Sequence, residues 1–474
     1  MSAPPARTHF IGIGGAGMSV VAELFLARGH AVSGSDAKDS PVLARLAELG
    51  AEIAVGHDAA HVQGAGTVVV STAVRDDNPE LVAARAAGAE VIHRSVALAR
   101  AAADHDFVAV AGAHGKTTTT GMLAVALTEV GADPSYAIGG ALMGAGTGAH
   151  LGTGAAFVAE ADESDSSFLN YSPRVAVVTN VEADHLDRYG SSDAVQHAFE
   201  QFVARIEPGG LLVACADDRG SAELAGFASG RNIRVQRYGV AEVAASGVLP
   251  QRPTGAAPDV LLHEVCLTPE GSSARLEQDG QPKEAAVELT LHVPGEHNLR
   301  NAVAAWCVGV ELGVDRAAMA AALASFTGTA RRFELRGEVG GVRVVDDYAH
   351  HPTEVAELLK AARRSARDGR VLVLFQPPLY SRTQAFQGAF AAALSAADHV
   401  VLTGIYGARE DPVPGVTSQL IAARVPRARY LEDRFEAAAA IAAEARAGDL
   451  VLTVGAGDVT ELGSTILAAL EARG

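Results

Sequence analysis

The sequence predicts an α/β protein of three domains built on mostly parallel sheets. Short apolar runs alternate with longer amphipathic stretches, the pattern of strands joined by crossover helices. Many of those runs end in a glycine loop or a polar cluster, as strands of an open parallel sheet do at their ligand-binding ends. A length of 474 residues fits three domains at ~150 residues each.

The first domain opens on the apolar strand His9–Ile13, which runs into Gly12-Ile-Gly14-Gly15-Ala16-Gly17-Met18-Ser19. Gly12, Gly14 and Gly17 fit G-x-G-x-x-G. A helical pattern follows over 20–28, then a strand over 31–34 that ends at Asp36, at the distance of a ribose-binding acid. A third apolar run, Thr67–Ser71, puts Ser71 at a strand end. The spacing defines a Rossmann-like βαβ unit over residues 1–104. Taken alone, this motif suggests a dinucleotide site, with a plain strand–helix turn as the lesser alternative.

The second domain, residues 105–327, begins with Asp106–Ala111, Gly112-Ala113-His114-Gly115-Lys116-Thr117-Thr118, and an apolar helix. Strand, glycine loop and helix in that order make a phosphate cradle of P-loop type. Gly112 and Gly115 let the backbone close on a phosphate, Lys116 reaches its outer oxygens, and Thr117 suits Mg²⁺. The loop is shortened, with Val110 where the strict spacing has glycine. Lysine is otherwise absent between Lys38 and Lys283. Strands over 156–159 and 175–178 end in Glu160-Ala-Asp162-Glu163 and Thr179-Asn180-Val-Glu182-Ala-Asp184-His185-Leu-Asp187. Carboxylates and a histidine at neighbouring strand ends suit a magnesium–nucleotide site. Residues 208–290 elaborate this domain with short strands and turns such as 249–253. Pro294-Gly295-Glu296-His297-Asn298-Leu-Arg-Asn301 then opens a helix over 302–310, with Asn298 as its cap or as a nucleotide contact.

The third domain, residues 328–474, follows Gly328-Thr-Ala-Arg331-Arg332-Phe333 and is again Rossmann-like. Its strand 341–345 ends in Asp346-Asp347-Tyr348-Ala349-His350-His351-Pro352, and Pro352 opens a helix. Strands over 371–375, 399–402 and 450–454 complete the unit, with Tyr380-Ser381-Arg382 after the first of them. The alanine-rich stretch 435–447 reads as a covering helix.

Composition sets the outer limits. The chain is 49% hydrophobic and 20% charged, which excludes a disordered protein. It lacks the ~18 uninterrupted apolar residues of a membrane span. Its first ten residues lack the apolar core of a signal peptide, so a cytoplasmic location is expected. A net charge of −18 argues against a nucleic-acid partner, while leaving room for anions held by local loops. Cys215, Cys266 and Cys307 lack metal-ligand spacing and are expected to be reduced core residues.

Two separate nucleotide-type loops, only one with a lysine, mean one nucleotide held intact and one whose phosphate is transferred. The stretches 12–19, 112–120, 160–168, 179–187, 295–301, 331–333, 346–354 and 376–383 together, and in this order, resemble the Mur ligase family. Ala113 and Pro378 depart from it, standing where Thr and His are usual. The resemblance implies a first domain for a UDP-sugar, a central ATPase and a third domain bringing the amino acid. It points to members that join L-alanine to UDP-N-acetylmuramate with ATP and Mg²⁺, through an acyl phosphate, as monomer or homodimer.

By the resemblance, Gly14, Gly15, Ala16, Gly17, Met18, Ser19, Asp36 and Ser71 face the UDP-sugar. Thr117 and Glu160 hold one metal ion and His185 a second. Asn298, Arg332 and Asp346 touch ATP, and Tyr348, His350 and Arg382 surround the amino acid. Lys116, His185, His350 and Arg382 form the catalytic set. With no lysine from Thr117 through Pro282, the carbamoylated lysine of some sister ligases has no counterpart in that stretch. A peptide-recycling ligase, an NAD(P)-dependent oxidoreductase and a silent nucleotide-binding regulator are the alternatives.

Overall fold

A computed structural model describes residues 7–241, 257–408 and 410–473, without the side chain of Asp187. The turn expected over 249–253 and the first six residues lie outside the described residues. Three sheets organise the chain. The first has five parallel strands in the spatial order Glu52–Val55, Val32–Asp36, Arg7–Ile11, Ala65–Val70, Glu90–His93. Strand order reverses beside Arg7–Ile11, the switch point at which doubly wound sheets bind ligands beyond their carboxyl ends. Gly12-Ile-Gly14-Gly15 follows that central strand directly and leads into the helix Ala16–Ala27.

The second sheet has ten strands, with Asp106–Ala111 between Val175–Val178 and Ala156–Glu160, all parallel. These strands are almost wholly buried, which is why they read as continuous apolar runs rather than alternating ones. Leu211–Cys215, Arg234–Val240 and Val260–Leu267 continue the sheet in parallel, and Ser272–Gln278 and Val287–Leu291 complete that side. The expected elaboration of the central domain is therefore sheet extension. The third sheet has six strands, with Val342–Asp347, Leu450–Val454 and Val371–Phe375 parallel at its centre. Glu334–Val339 pairs antiparallel at its edge.

Two compact units emerge from the packing. One comprises Met1–Glu264, Ala274–Leu289 and Arg300–Phe326; the other comprises Val265–Ser273, Thr290–Leu299 and Thr327–Gly474. In the first unit a continuous apolar core includes Phe10, Val21, Phe107, Phe157, Phe168 and Phe202. A smaller core around Ile11, Val68 and Leu81 covers the other face of the five-stranded sheet. In the second unit, cores around Phe375 and Val451 cover the two faces of the six-stranded sheet.

Local boundaries shift from expectation in places. The helix expected from 302 runs Glu296–Glu311, because Gly295, at φ 107°, makes the break that releases it. Asn298 is accordingly not a cap: it lies inside the first turn and donates from Nδ2 to the Pro294 carbonyl at 2.7 Å. Pro352 does open its helix, with the His351 ring and Glu354 forming a capping box. Cys215 and Cys307 are buried free thiols, but Cys266 is exposed, on the strand Val260–Leu267. Among the described residues no helix is long and apolar enough to cross a membrane.

Candidate active site

The phosphate loop is held in shape from below. Gly112 has φ 134° and a Cβ there would stand 2.1 Å from Thr179 Oγ1. Gly115 has φ 84°, with Asn301 Oδ1 2.7 Å from its missing Cβ. At both positions a side chain would meet a strained backbone conformation as well as a close contact. Thr179 and Asn180, at the end of the neighbouring strand, staple the loop. The Thr179 hydroxyl donates to the His114 carbonyl at 2.6 Å, Asn180 Nδ2 donates to the same oxygen at 3.0 Å, and His114 N–H donates to Asn180 Oδ1 at 2.8 Å. The His114 ring lies 3.4 Å from Glu182. Lys116 and Thr117 then open the helix Lys116–Glu129, with Thr118 in its first turn.

Lys116 Nζ donates to the Gly112 carbonyl at 2.6 Å and to Glu163 Oε1 at 2.9 Å. Burial works against its ammonium form, but Glu163 and Asp162 outweigh that and raise its pKa. Thr117 Oγ1 donates to Glu160 Oε2 at 3.1 Å, and Gly139 N–H donates to Glu160 Oε1 at 2.7 Å. His185, in the left-handed region at φ 53°, lies 3.9 Å from Glu163 and 3.7 Å from Asp184. Such a conformation is uncommon for a non-glycine residue and concentrates at functional sites. Lys116, Thr117, Glu160 and His185 thus converge on one strand-end crevice.

Two charged groups outside the expected catalytic set bear directly on this arrangement. Glu163, 3% exposed, is the direct partner of Lys116, although it lies within the acidic stretch that drew attention. Arg94 donates to Asp162 at 2.8 Å, and its Nη1 is 2.9 Å from where a Gly17 Cβ would be. It supplies the cation that the first glycine loop itself lacks. Burial opposes the ionised form of Asp162, while Lys116 and Arg94 hold its pKa down to about 2.

At the first glycine loop, Gly14 N–H donates to Asp36 Oδ2 at 2.9 Å, so the expected acid does meet the loop. Gly15 and Ala16 are exposed and Gly17 half-buried. Met18 and Ser19 turn inward, and the Ser19 hydroxyl donates to the Ala16 carbonyl. Ser71 is half-buried beyond the strand Ala65–Val70. Neighbouring Thr72 donates to Asp165 at 3.3 Å.

In the second unit, Tyr348 and His350 meet edge to face at 5.1 Å. The Arg332 guanidinium lies 5.3 Å over the Tyr348 ring and 3.7 Å from Glu354. His350 Nδ1 is 3.0 Å from the Tyr348 carbonyl, which accepts only, so Nδ1 carries the proton and Nε2 keeps a lone pair. Burial, helped by Arg382 and Arg332 and opposed by Glu354, pushes the His350 pKa down to about 4. Arg382, 7% exposed, is on the helix Tyr380–Leu394. Leu379, just before that helix, is strained at φ 50°, and Pro378 bridges to Tyr406.

Asp346 departs from expectation. It is fully buried, with its oxygens taken by Thr453 at 2.6 Å, Thr460 at 2.7 Å and Arg331 at 3.3 Å. Arg331 also donates to the Gly455 carbonyl at 2.7 Å. Both tandem arginines lie over the Tyr348 ring, Arg331 at 4.8 Å and Arg332 at 5.3 Å, but Arg331 also braces Asp346 and the Gly455 turn, while Arg332 meets Glu354.

A lysine-bearing phosphate cradle, strand-end carboxylates and a separate glycine loop with its own acid define a nucleotide-dependent α/β enzyme. Residues 7–106, 110–309 and 331–457 match in turn the Mur ligase family catalytic domain, the Mur ligase middle domain and the Mur ligase glutamate ligase domain. The UDP-N-acetylmuramate–L-alanine ligase of Kineococcus radiotolerans is 56% identical, covering 98% of this chain and 97% of that protein. The Renibacterium salmoninarum ligase of the same name is 53% identical, over 98% and 96%. Among solved structures, the UDP-N-acetylmuramate–alanine ligase of Thermotoga maritima superposes with a TM-score of 0.80 at 29% identity, over 99% of this chain and all of that one. A murein peptide ligase from Psychrobacter arcticus gives 0.72 at 27% identity, over 98% and 99%. The chain belongs to the Mur ligase family.

Proposed function

We propose that this chain joins L-alanine to the muramate carboxylate of UDP-N-acetylmuramate, with ATP converted to ADP and phosphate, in peptidoglycan precursor synthesis. The observation that carries this reading is the meeting of Lys116, Thr117, Glu160 and His185 at one strand-end crevice. It is supported by relatives of that name over nearly the whole chain. Domain boundaries near 104 and 327, a cytoplasmic location and a monomeric or homodimeric state belong to the same reading.

A free carboxylate is a poor acyl donor. In the proposed sequence one muramate carboxylate oxygen attacks the γ-phosphorus, the bond to the ADP oxygen breaks, and an acyl phosphate results. The neutral alanine amine attacks the acyl carbon, the carbon–oxygen bond to phosphate breaks, and the amide remains. Phosphoryl transfer of this kind depends on positioning and charge neutralisation. Lys116 supplies a fixed positive charge at the outer phosphates, while Gly112, Ala113, His114, Gly115 and Thr118 line the loop. The oxygen donors of Thr117 and Glu160 fit Mg²⁺, and His185 suits a second ion. Bound there, the metal neutralises phosphate charge.

On the amino-acid side, Arg382 pairs with the alanine carboxylate. His350 offers the lone pair of Nε2 to an amine N–H. A histidine near pKa 4 is too weak to store that proton, so it orients the amine, and the proton leaves with the expelled phosphate. Tyr348 walls the pocket. Arg332 and Asn298 contact ATP, and Asp346 acts at one remove by holding Arg331. Gly14, Gly15, Ala16, Gly17, Asp36 and Ser71 receive the UDP moiety, with Met18 and Ser19 contributing backbone.

The test is phosphate release from Mg-ATP with UDP-N-acetylmuramate, with and without L-alanine. Release that requires all three, with a product heavier by one alanyl residue, supports the proposal. Release that ignores L-alanine but responds to a peptide makes the chain a recycling ligase.

A further inference from the structure

Outside the reaction crevice, the first unit holds a multiply bonded buried carboxylate, Glu80, of which the mechanism above makes no use. It lies at the start of the helix Pro79–Ala86, whose first turn Asn78 caps through Oδ1, and it is fully buried. Four side chains from three other segments converge on its carboxylate. The Ser35 hydroxyl donates to Oε2 at 2.6 Å, His57 Nδ1 is 3.0 Å from the same oxygen, and His61 Nδ1 is 2.7 Å from Oε1. His9 Nε2 stands 3.8 Å away, while its Nδ1 meets Ser33. A buried carboxylate this well supplied with donors stays ionised: burial opposes that form, and the histidines with Ser35 more than offset it, bringing the pKa to about 2.

What Glu80 grips explains why a charge is kept there. Ser35 is the next-to-last residue of the strand Val32–Asp36 beside the first glycine loop, and its carbonyl accepts from both Gly12 N–H at 2.8 Å and Ile13 N–H at 2.9 Å. The next residue, Asp36, accepts Gly14 N–H through its side chain at 2.9 Å and Gly56 N–H through its carbonyl at 2.7 Å. His57 follows Gly56 directly. One carboxylate thereby fixes Ser35–Asp36 against the glycine loop and the next strand end at once. This is the crevice beyond the carboxyl ends of the strands, where an open parallel sheet binds its nucleotide.

We propose that Glu80 is a positioning residue for nucleoside-diphosphate binding, acting through Ser35 to set the geometry of Asp36 and the Gly12–Gly17 loop. The inference rests on the reading of that loop as the UDP side of the ligase. Glu80 touches no ligand; its effect falls on affinity for the UDP moiety, with ATP binding and the chemical step untouched.

The experiment measures UDP and a non-hydrolysable ATP analogue by titration calorimetry on the full chain. The variants are Glu80→Gln, Glu80→Met, Ser35→Ala and the Glu80→Met/Ser35→Ala double. Met keeps the length of Glu and removes both carboxylate oxygens, leaving only a weakly accepting sulfur. Gln keeps one acceptor for Ser35, and the imidazoles can change tautomer to suit its amide. Glu80→Met is expected to weaken UDP about 10- to 100-fold, Ser35→Ala less, and Glu80→Gln least. The double variant is expected to be no weaker than Glu80→Met, because both changes cut the same link. Affinity for the ATP analogue is expected to stay within about twofold. If Glu80→Met does not fold, Ser35→Ala decides alone, since it removes a single hydroxyl. Unchanged UDP affinity in folded variants, fully additive effects, or equal loss of ATP affinity would overturn the proposal. If the unaltered chain binds no UDP, the assignment of the loop falls first and the role of Glu80 with it.

Discussion

Replacing Gly112 with alanine should disable ATP binding while sparing the rest of the fold, and the size of the effect follows from two contacts. At φ 134° an L side chain carries roughly 1–3 kcal/mol of backbone strain. The new methyl would also stand 2.1 Å from Thr179 Oγ1. Thr179 must turn away, giving up its 2.6 Å bond to the His114 carbonyl, worth about 1 kcal/mol net. Together these cost roughly 2–4 kcal/mol, all of it in the loop, which corresponds to roughly 30- to 1,000-fold in ATP affinity. Gly112→Ala combined with Thr179→Ala removes the closest clash, though not the 3.1 Å approach to the Asn180 backbone, and should recover about tenfold, even though Thr179→Ala alone weakens binding. The assay is a binding titration with a fluorescent ATP analogue, with UDP binding as the internal control. If Gly112→Ala binds ATP as tightly as the unaltered chain, the loop is not the phosphate cradle and the reasoning fails.

Lys116→Met should lower turnover by at least ~10³-fold, since it removes the fixed charge on the transferred phosphoryl group, with UDP affinity unchanged in the same calorimeter. Arg382→Lys should raise the KM for L-alanine by about tenfold or more, because an ammonium cannot reproduce a bidentate guanidinium–carboxylate pair; the KM for ATP is the control in that steady-state assay. His350 gives a pH signature in stability. Its folded pKa of about 4 lies below the unfolded value of ~6.5, so between them the unfolded chain binds the extra proton. Stability should therefore fall as pH drops from ~6.5 to ~4, by at most ~3 kcal/mol from this group. His350→Gln should flatten that part of the urea-denaturation profile.

Much of the scaffold was legible because buried parallel strands leave continuous apolar runs. Asp106–Ala111 and Leu450–Val454 stand where those runs predicted. Their polar ends pointed to Lys116, Thr117, Glu160 and His185, which the fold does bring together. Long-range partnerships were not legible. Arg94 meets Asp162 across 68 residues and Lys116 meets Glu163 across 47, and no periodicity encodes which of several acids a given cation selects. Tandem residues were ambiguous for a different reason: successive side chains on a strand point to opposite faces. Asp346 and Asp347 both lie on Val342–Asp347. Asp346 turns to Thr453, while Asp347 accepts the N–H groups of Phe333 and Ala349. Glu80 drew no notice, because a glutamate at a helix start is also what the helix dipole favours.

The central claim is that the muramate carboxylate is itself phosphorylated, and isotope transfer tests it most directly. UDP-N-acetylmuramate labelled with ¹⁸O in that carboxylate is turned over with Mg-ATP and L-alanine, and the released phosphate is weighed by mass spectrometry. An acyl phosphate predicts one ¹⁸O atom in each phosphate formed. Unlabelled phosphate accompanied by amide product would contradict the account, because the oxygen lost from the carboxylate would then have left by another route.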